Sequence, residues 1–308
     1  MGKKLVMTGD QPLVSVIMNC HNGEKYLREA IDSVYAQTYT NWEIIFWDNT
    51  SIDGSDIIAK SYSKKLKYYK SEKKTPLGEA RNKALKKAKG RYLSFLDCDD
   101  MFLPGKLLKQ VCEMQFGNFG MCYGSVYHID KNGGMIGKRK VLSKKGKILR
   151  RLLMNYDINM QTVMIRRKIL TENSLSFDTK LKFSPDYDLF MRIAAEHKIC
   201  SLSNYLAEYR KVETSLTVKL LDHIAPEMEY TLKKLSSKSN ISSKMNDNFK
   251  VAFQMLYFYR SLPLIRSGQY LQARKNIFKS VKVKYRYIIY YLILFFPVNR
   301  TWLLKLMM

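Results

Sequence analysis

Acidic residues are scarce in this 308-residue chain: 27 Asp and Glu stand against 53 Lys and Arg, a net charge of +26. Such a deficit calls for an anionic partner, whether nucleic acid, an acidic membrane surface or phosphorylated ligands. Cysteine is sparse too. Cys20, Cys98, Cys112, Cys122 and Cys200 form no C-x-x-C, which excludes a disulfide framework. Four unpaired histidines, His21, His128, His197 and His223, add no Cys/His zinc spacing. Reduced, mostly buried thiols and a cytosolic compartment are expected. No apolar run reaches the ~18–20 residues that cross a bilayer; the nearest is 288–298. The opening MGKKLVMTGDQPLVSVIM lacks a signal-peptide pattern, and Val6 breaks a myristoylation signal after Gly2. G-x-G-x-x-G, G-x-x-x-x-G-K-[ST], G-x-S-x-G and H-E-x-x-H are all missing, which argues against dinucleotide oxidoreductases, P-loop NTPases, α/β-hydrolases and zincins.

What is present is alternation. LVSVIM (13–18) reads as a buried strand followed by turn residues Asn19, His21, Asn22 and Gly23. EKYLREAIDSVYA (24–36) then places Leu27, Ala30, Ile31 and Val34 on one helical face. EIIFWD (43–48), LKYYKSE (66–72) and RYLSFLD (91–97) are further strands. DIIAKSYSKK (56–65), LGEARNKALKKAKG (77–90, closed by Gly90) and PGKLLKQVCEM (104–114) are helices between or after them. Strand–helix repetition predicts an α/β fold with a mostly parallel sheet, whose ligands bind at the carboxyl ends of the strands. A Gly-rich hairpin is predicted over 120–141, a helix over 184–198, and a polar linker over 236–244.

The chemistry-bearing residues sit at those strand ends. Asp97, Asp99 and Asp100 follow a buried strand. Clustered carboxylates repel, and their hard oxygens suit Mg²⁺ or Mn²⁺ bridging to phosphates. An acidic turn or helix cap before Pro104 is the competing reading. Asp48 suits a base N–H or a ribose hydroxyl, or else an Asx-turn with Asn49 and Ser51. Asp186 suits a general base, or simply a helix start favoured by the macrodipole. Arg192 faces either a phosphate or Asp188, four positions earlier. Arg81 and Arg210 are basic groups for a nucleotide or for the surface.

Taken jointly, VSVIMNCHNGEKYLREAIDSVYAQTYTNWEIIFWDNTSIDGS, LGEARNKALKKAKGRYLSFLDCDD with its downstream LPGKL, and SPDYDLFMRIA followed by EYR resemble the family-2 glycosyltransferases, inverting enzymes of the GT-A fold. The resemblance implies a Rossmann-like catalytic domain over 1–217 and a basic, aromatic-rich helical extension over 218–308. It implies that Asn19 and His21 border the nucleobase, that Asp48 contacts uracil, and that Arg81 and Arg210 hold the nucleotide. Asp97 would lean toward the ribose and Asp99 toward a divalent metal, Mg²⁺ or Mn²⁺, on the diphosphate. Asp186 would be the catalytic base. The chain departs from the family at three points: Pro185 replaces the first acid of its Glu-Asp pair, Val212 stands where a histidine is common, and no Q-x-x-R-W is present. The last implies a single sugar addition rather than polymer extension.

From Asn248 onward there are 11 Lys or Arg, no acid, and 14 aromatics. That composition predicts a helix on an anionic membrane surface, at the cytoplasmic face of the inner membrane, and fits a lipid-linked glycan acceptor with a nucleotide-sugar donor. The alternative is a helical pair packed on the catalytic domain. Nucleic acid is set aside because no recognition motif accompanies the charge. A sugar nucleotidyltransferase or a non-catalytic glycan-binding protein are the competing functional readings.

Overall fold

A computed structural model describes residues 10–212, 219–296, 299, 303, 304 and 307. The expected boundary at 217/218, the segment before residue 10 and parts of 282–308 lie outside them. The chain divides into two compact units, one of Met1–Ile148, Asp157–Lys180 and Arg192–Val212, the other of Leu149–Tyr156, Leu181–Met191 and Glu213–Met308.

The first unit is built on the predicted alternation: β1 (Val14–Cys20), α1 (Glu24–Tyr35), β2 (Trp42–Asp48), α2 (Ser55–Lys60), β3 (Leu66–Lys70), α3 (Leu77–Leu85), β4 (Tyr92–Phe95). It continues through β5 (Met101–Phe102), α4 (Lys106–Phe116), β6 (Met121–Ile129), β7 (Met135–Arg139), β8 (Lys144–Gly146), β9 (Met164–Arg166), α6 (Arg167–Glu172) and β10 (Ile199–Arg210), while α5 (Leu149–Met154) belongs to the second unit. The sheet runs β3-β2-β1-β4-β9-β6-β10-β5, with β7 on β6 and β8 on β10. β3, β2, β1 and β4 are mutually parallel, as are β6 and β10. β9 enters antiparallel between the two groups. The register pairs Cys20 with Asp48, and Ile17 with Phe95, so β1, β2 and β4 end along one edge.

Burial explains this arrangement. β1 and β2 are apolar on both faces, as strands covered by helices must be. α1 buries Leu27, Ala30, Ile31 and Val34, the predicted stripe, and each larger side chain contributes roughly 1.5–3 kcal/mol. Two expectations change. The helix predicted to end at Gly90 stops at Leu85; Gly90 instead lies against β1, where a Cβ would meet the Ser15 nitrogen at 2.5 Å. Its glycine answers to close backbone approach, not to a cap.

The second unit is helical: α5, the start of α7 (Pro185–Glu196), α8 (Leu221–Ser236), α9 (Ser239–Arg266), α10 (Tyr270–Val281) and α11 (Ile288–Ile293). Its core gathers Leu221, Ile224, Phe258, Leu262, Ile265 and Ile277, with Tyr287 stacked on Phe258 at 4.3 Å. The linker expected over 236–244 is helical apart from the break between α8 and α9, with a kink at Met245. Burial of Ile241 and Phe249 overrides the weak helix propensity of Ser and Asn. Among the described residues no helix is long and apolar enough to cross a membrane.

Candidate active site

The loops after β1, β2 and β3 are tied together at the carboxyl edge of the sheet. His21 Nε2 accepts from Lys74 Nζ at 2.7 Å, so Nδ1 carries the ring hydrogen and donates to the Asn49 carbonyl at 3.1 Å. Asn22 accepts from the Ile52 N–H, and its own N–H donates to Ser51 Oγ. Asn49 bonds the Thr75 backbone in both directions. Asn22 and Thr50 hold φ of 56° and 65°. A β-branched residue in that region is strained, and such strain clusters at ligand sites.

Asp48 is fully buried at the end of β2. One carboxylate oxygen accepts from the Ser51 N–H at 2.7 Å, and the other from the Tyr68 hydroxyl at 2.6 Å. The Asx-turn is therefore present, and Tyr68 is a partner that sequence reasoning missed. Its phenol is pushed upward by burial and by the Asp48 carboxylate. Asn19 ends β1 with its carbonyl accepting from Cys98 Sγ at 3.3 Å. Its Nδ2 is buried without a hydrogen-bond partner among the described residues, a donor directed at this edge.

The acidic loop follows β4. Cys98 turns inward while the Asp100 N–H closes a turn onto the Asp97 carbonyl at 3.2 Å. Asp97 Oδ1 pairs with Arg81 at 3.1 Å and Oδ2 accepts from Gln161 Nε2 at 2.7 Å; Gln161 Oε1 in turn accepts the Asp97 N–H. Asp97 nonetheless keeps 37% of its side chain exposed. Gln161 comes from the 3₁₀ turn Met160–Thr162, a segment with no periodic signal. That turn is fixed from below: Gln110 Nε2 donates to the Thr162 carbonyl, Ser94 Oγ to the Val163 carbonyl, and buried Lys106 to both Ser94 and Gln110.

Asp99 is held differently. Burial, then the charge of Asp97, raises its carboxyl to about 6. Asp100 is fully buried: Oδ1 accepts the Arg210 N–H at 2.7 Å, and Oδ2 has no partner among the described residues. Burial and the two neighbouring acids push its carboxyl up as well. Arg210 is also buried. Its guanidinium donates to the Asp99 carbonyl (2.9 Å), to Glu29 (2.6 Å) and, at longer range, to the carbonyls of Asp130 and Lys131, and it lies over the Tyr26 ring. Arg210 thus braces the acidic loop from inside.

This unit brings together Asn19, His21, Asp48, Arg81, Asp97, Asp99 and Arg210 along one strand edge and its loops. The donor set fits a hard divalent cation, since two acids two residues apart carry a negative charge that only Arg81 and Gln161 offset. Among the described residues no three His, Cys, Asp or Glu side chains converge on a metal position, so a cation here would draw its remaining ligands from a bound anion or water. Asp186 belongs to the other unit, in the first turn of α7, partly exposed. Arg192 donates to the Ser176 carbonyl at 2.5 Å, and Asp188 accepts from Lys234 at 2.8 Å.

Comparison with known proteins adds independent information. Residues 15–173 match the family model described as Glycosyl transferase family 2. The Escherichia coli UDP-Glc:alpha-D-GlcNAc-diphosphoundecaprenol beta-1,3-glucosyltransferase WfgD is 32% identical over 211 residues, spanning 68% of this chain and 81% of WfgD. S. aureus TarS 1–349 in complex with UDP-GlcNAc superposes with a TM-score of 0.67 at 20% identity, covering 88% of this chain and 81% of TarS 1–349. The mannosyltransferase PcManGT from Pyrobaculum calidifontis, in complex with GDP-Man and Mn²⁺, gives 0.64 at 14% identity over 97% of this chain and 85% of its own.

Proposed function

The chain belongs to glycosyltransferase family 2 and has the GT-A fold, and from that premise we propose that it moves one hexose from a UDP-sugar to a hydroxyl of a lipid-linked glycan in cell-surface polysaccharide synthesis. The observation that carries the reading is the acidic loop after β4, with Asp97 fixed by Arg81 and Gln161 and Asp99 left unpaired beside it. UDP as the nucleotide, and a diphosphate-linked lipid as the acceptor's anchor, are supported by the name of WfgD.

In this reading the loops of Asn19, His21 and Asp48 border the nucleobase, and Arg81 and Asp97 orient the ribose. A divalent cation held by Asp99 with Asp97 supplies charge neutralisation to the leaving diphosphate. Arg210 acts by bracing the loop rather than by touching phosphate. Asp186 takes the proton of the acceptor hydroxyl. The oxygen so freed forms a bond to the anomeric carbon as the bond to diphosphate breaks, with its electron pair leaving on the diphosphate oxygen. One displacement inverts the configuration. Loss of such a base typically costs ~10²–10⁴ in rate.

The extension supplies the membrane part of the reading. Ile288, Ile289, Leu292, Phe295 and Phe296 are exposed, in a region of 11 basic and no acidic residues from Asn248. Each basic residue near an anionic leaflet contributes ~1 kcal/mol, which supports docking on the cytoplasmic membrane face.

Calorimetric titration of UDP with and without Mn²⁺, beside Asp99→Ala, tests the site. Binding that requires Mn²⁺ and disappears in Asp99→Ala is expected. Absence of UDP binding in both conditions would refute the UDP-sugar assignment.

A further inference from the structure

The segment that delivers Asp186 is held by a carboxylate far away in sequence. Glu227, on α8 in the same unit, is buried. Its Oε1 accepts from the backbone N–H of Lys182 (2.8 Å) and Phe183 (3.2 Å). Its Oε2 accepts from the N–H of Phe183 (3.0 Å) and Ser184 (2.8 Å) and from Ser184 Oγ (3.1 Å). Three successive N–H groups converging on one anion make a nest, a conformation fixed by the anion it encloses. One and two turns further along α8, on the same face, Thr231 and Lys234 reach Asp188 Oδ1 at 3.4 and 2.8 Å. Residues 182–184 and 188 are thus pinned on either side of Asp186.

A helix end needs no such device to be stable. Ser184 stands immediately before α7, the place from which a serine hydroxyl caps a helix on its own. Here that hydroxyl is given to Glu227 instead. Burying a carboxylate carries a desolvation cost that a local cap avoids, and what the remote acid adds is one fixed entry direction for the first helical turn.

We propose that Glu227 is a positioning residue for Asp186: by fixing residues 182–184 it sets where the Asp186 carboxylate points. The inference rests on the reading of Asp186 as the base. A misplacement of ~1 Å at a reacting group costs ~10²-fold in rate.

The test is steady-state turnover by the full chain of the UDP-sugar it uses, offered as UDP-glucose and UDP-N-acetylglucosamine with a synthetic diphospholipid-linked N-acetylglucosamine acceptor, together with amide hydrogen exchange. Glu227→Ala is expected to lower kcat ~100-fold while leaving the donor KM within about twofold, and to deprotect the amides of 182–184. Glu227→Gln, which keeps one accepting oxygen, should recover part of the loss. In an Asp186→Asn background Glu227→Ala should cost nothing further, because both act through one group. Folded Glu227→Ala with kcat within threefold of wild type, unchanged amide protection, or losses that multiply in the double variant would each overturn the inference. If Glu227→Ala is recovered unfolded, Glu227→Gln carries the test, and wild-type kcat in it has the same meaning. Wild-type turnover by Asp186→Asn alone would instead remove the base assignment, whatever Glu227 does.

Discussion

Lys106 offers a quantitative check on the support beneath the acidic loop. Its ammonium is fully buried, 4.1 Å from the centre of the Phe102 ring, with Ser94 Oγ and Gln110 Oε1 as its hydrogen-bond acceptors. Burial lowers its pKa from 10.5 to about 7. Below pH 7 both folded and unfolded chains hold the proton, and the folded state carries the whole desolvation penalty, roughly 4–5 kcal/mol for that displacement at ~1.4 kcal/mol per unit. Between about 7 and 10.5 the unfolded chain binds a proton that the folded chain does not, so this contribution to stability rises with pH by ~1.4 kcal/mol per unit. Lys106→Met keeps a similar length and removes the charge, but leaves Gln110 Oε1 without its donor at a cost of ~1–3 kcal/mol. The variant should therefore be more stable than wild type by ~1–3 kcal/mol at pH 6.5 and lose ~3 kcal/mol of that relative advantage by pH 9. Urea unfolding followed by the fluorescence of Trp42 and Trp47, which lie on β2 in the same unit, measures the difference, and other titrating groups cancel between the two proteins. Curves for the two proteins that stay parallel from pH 6.5 to 9 would refute the reasoning, because Lys106 would then be charged in the folded state throughout.

Two further outcomes follow from the site. Gln161→Ala removes both bonds to Asp97 and should weaken Mn²⁺-dependent UDP binding about tenfold, the equivalent of ~1.4 kcal/mol; an unchanged calorimetric Kd would mean that Arg81 alone fixes Asp97. Tyr68→Phe leaves one oxygen of buried Asp48 without its donor and should destabilise the first unit by ~1.5–3 kcal/mol, read from the same fluorescence transition; a shift under ~0.5 kcal/mol would show that Asp48 does not depend on the phenol.

Much of the fold was legible because burial leaves a period. The apolar stripe of α1, the doubly buried β1 and β2, and the acids at the ends of β2 and β4 all follow from local pattern and strand order. The polar support did not show in the sequence for a physical reason. Gln161 meets Asp97 across 64 residues and Tyr68 meets Asp48 across 20. A hydrogen bond closed by tertiary structure imposes no spacing on the chain. Gly90 and the 239–244 segment misled for the converse reason: glycine and serine have local meanings, a cap and a linker, that packing against β1 and burial of Ile241 replaced. Arg210 drew attention as a cation for phosphate, yet its fork is shared among Glu29 and the carbonyls of residues 99, 130 and 131.

That fork has a consequence for the order in which the molecule matures. Every carboxylate of the acidic loop has been synthesised by residue 100, but the guanidinium that braces the loop arrives 110 positions later and closes on Glu29 across a separation of 181 residues. A nascent chain on the ribosome therefore holds its acids, unbraced, until β10 has emerged and paired with β6. Shortened chains that stop before residue 210 contain the whole acidic sequence and none of its fastening.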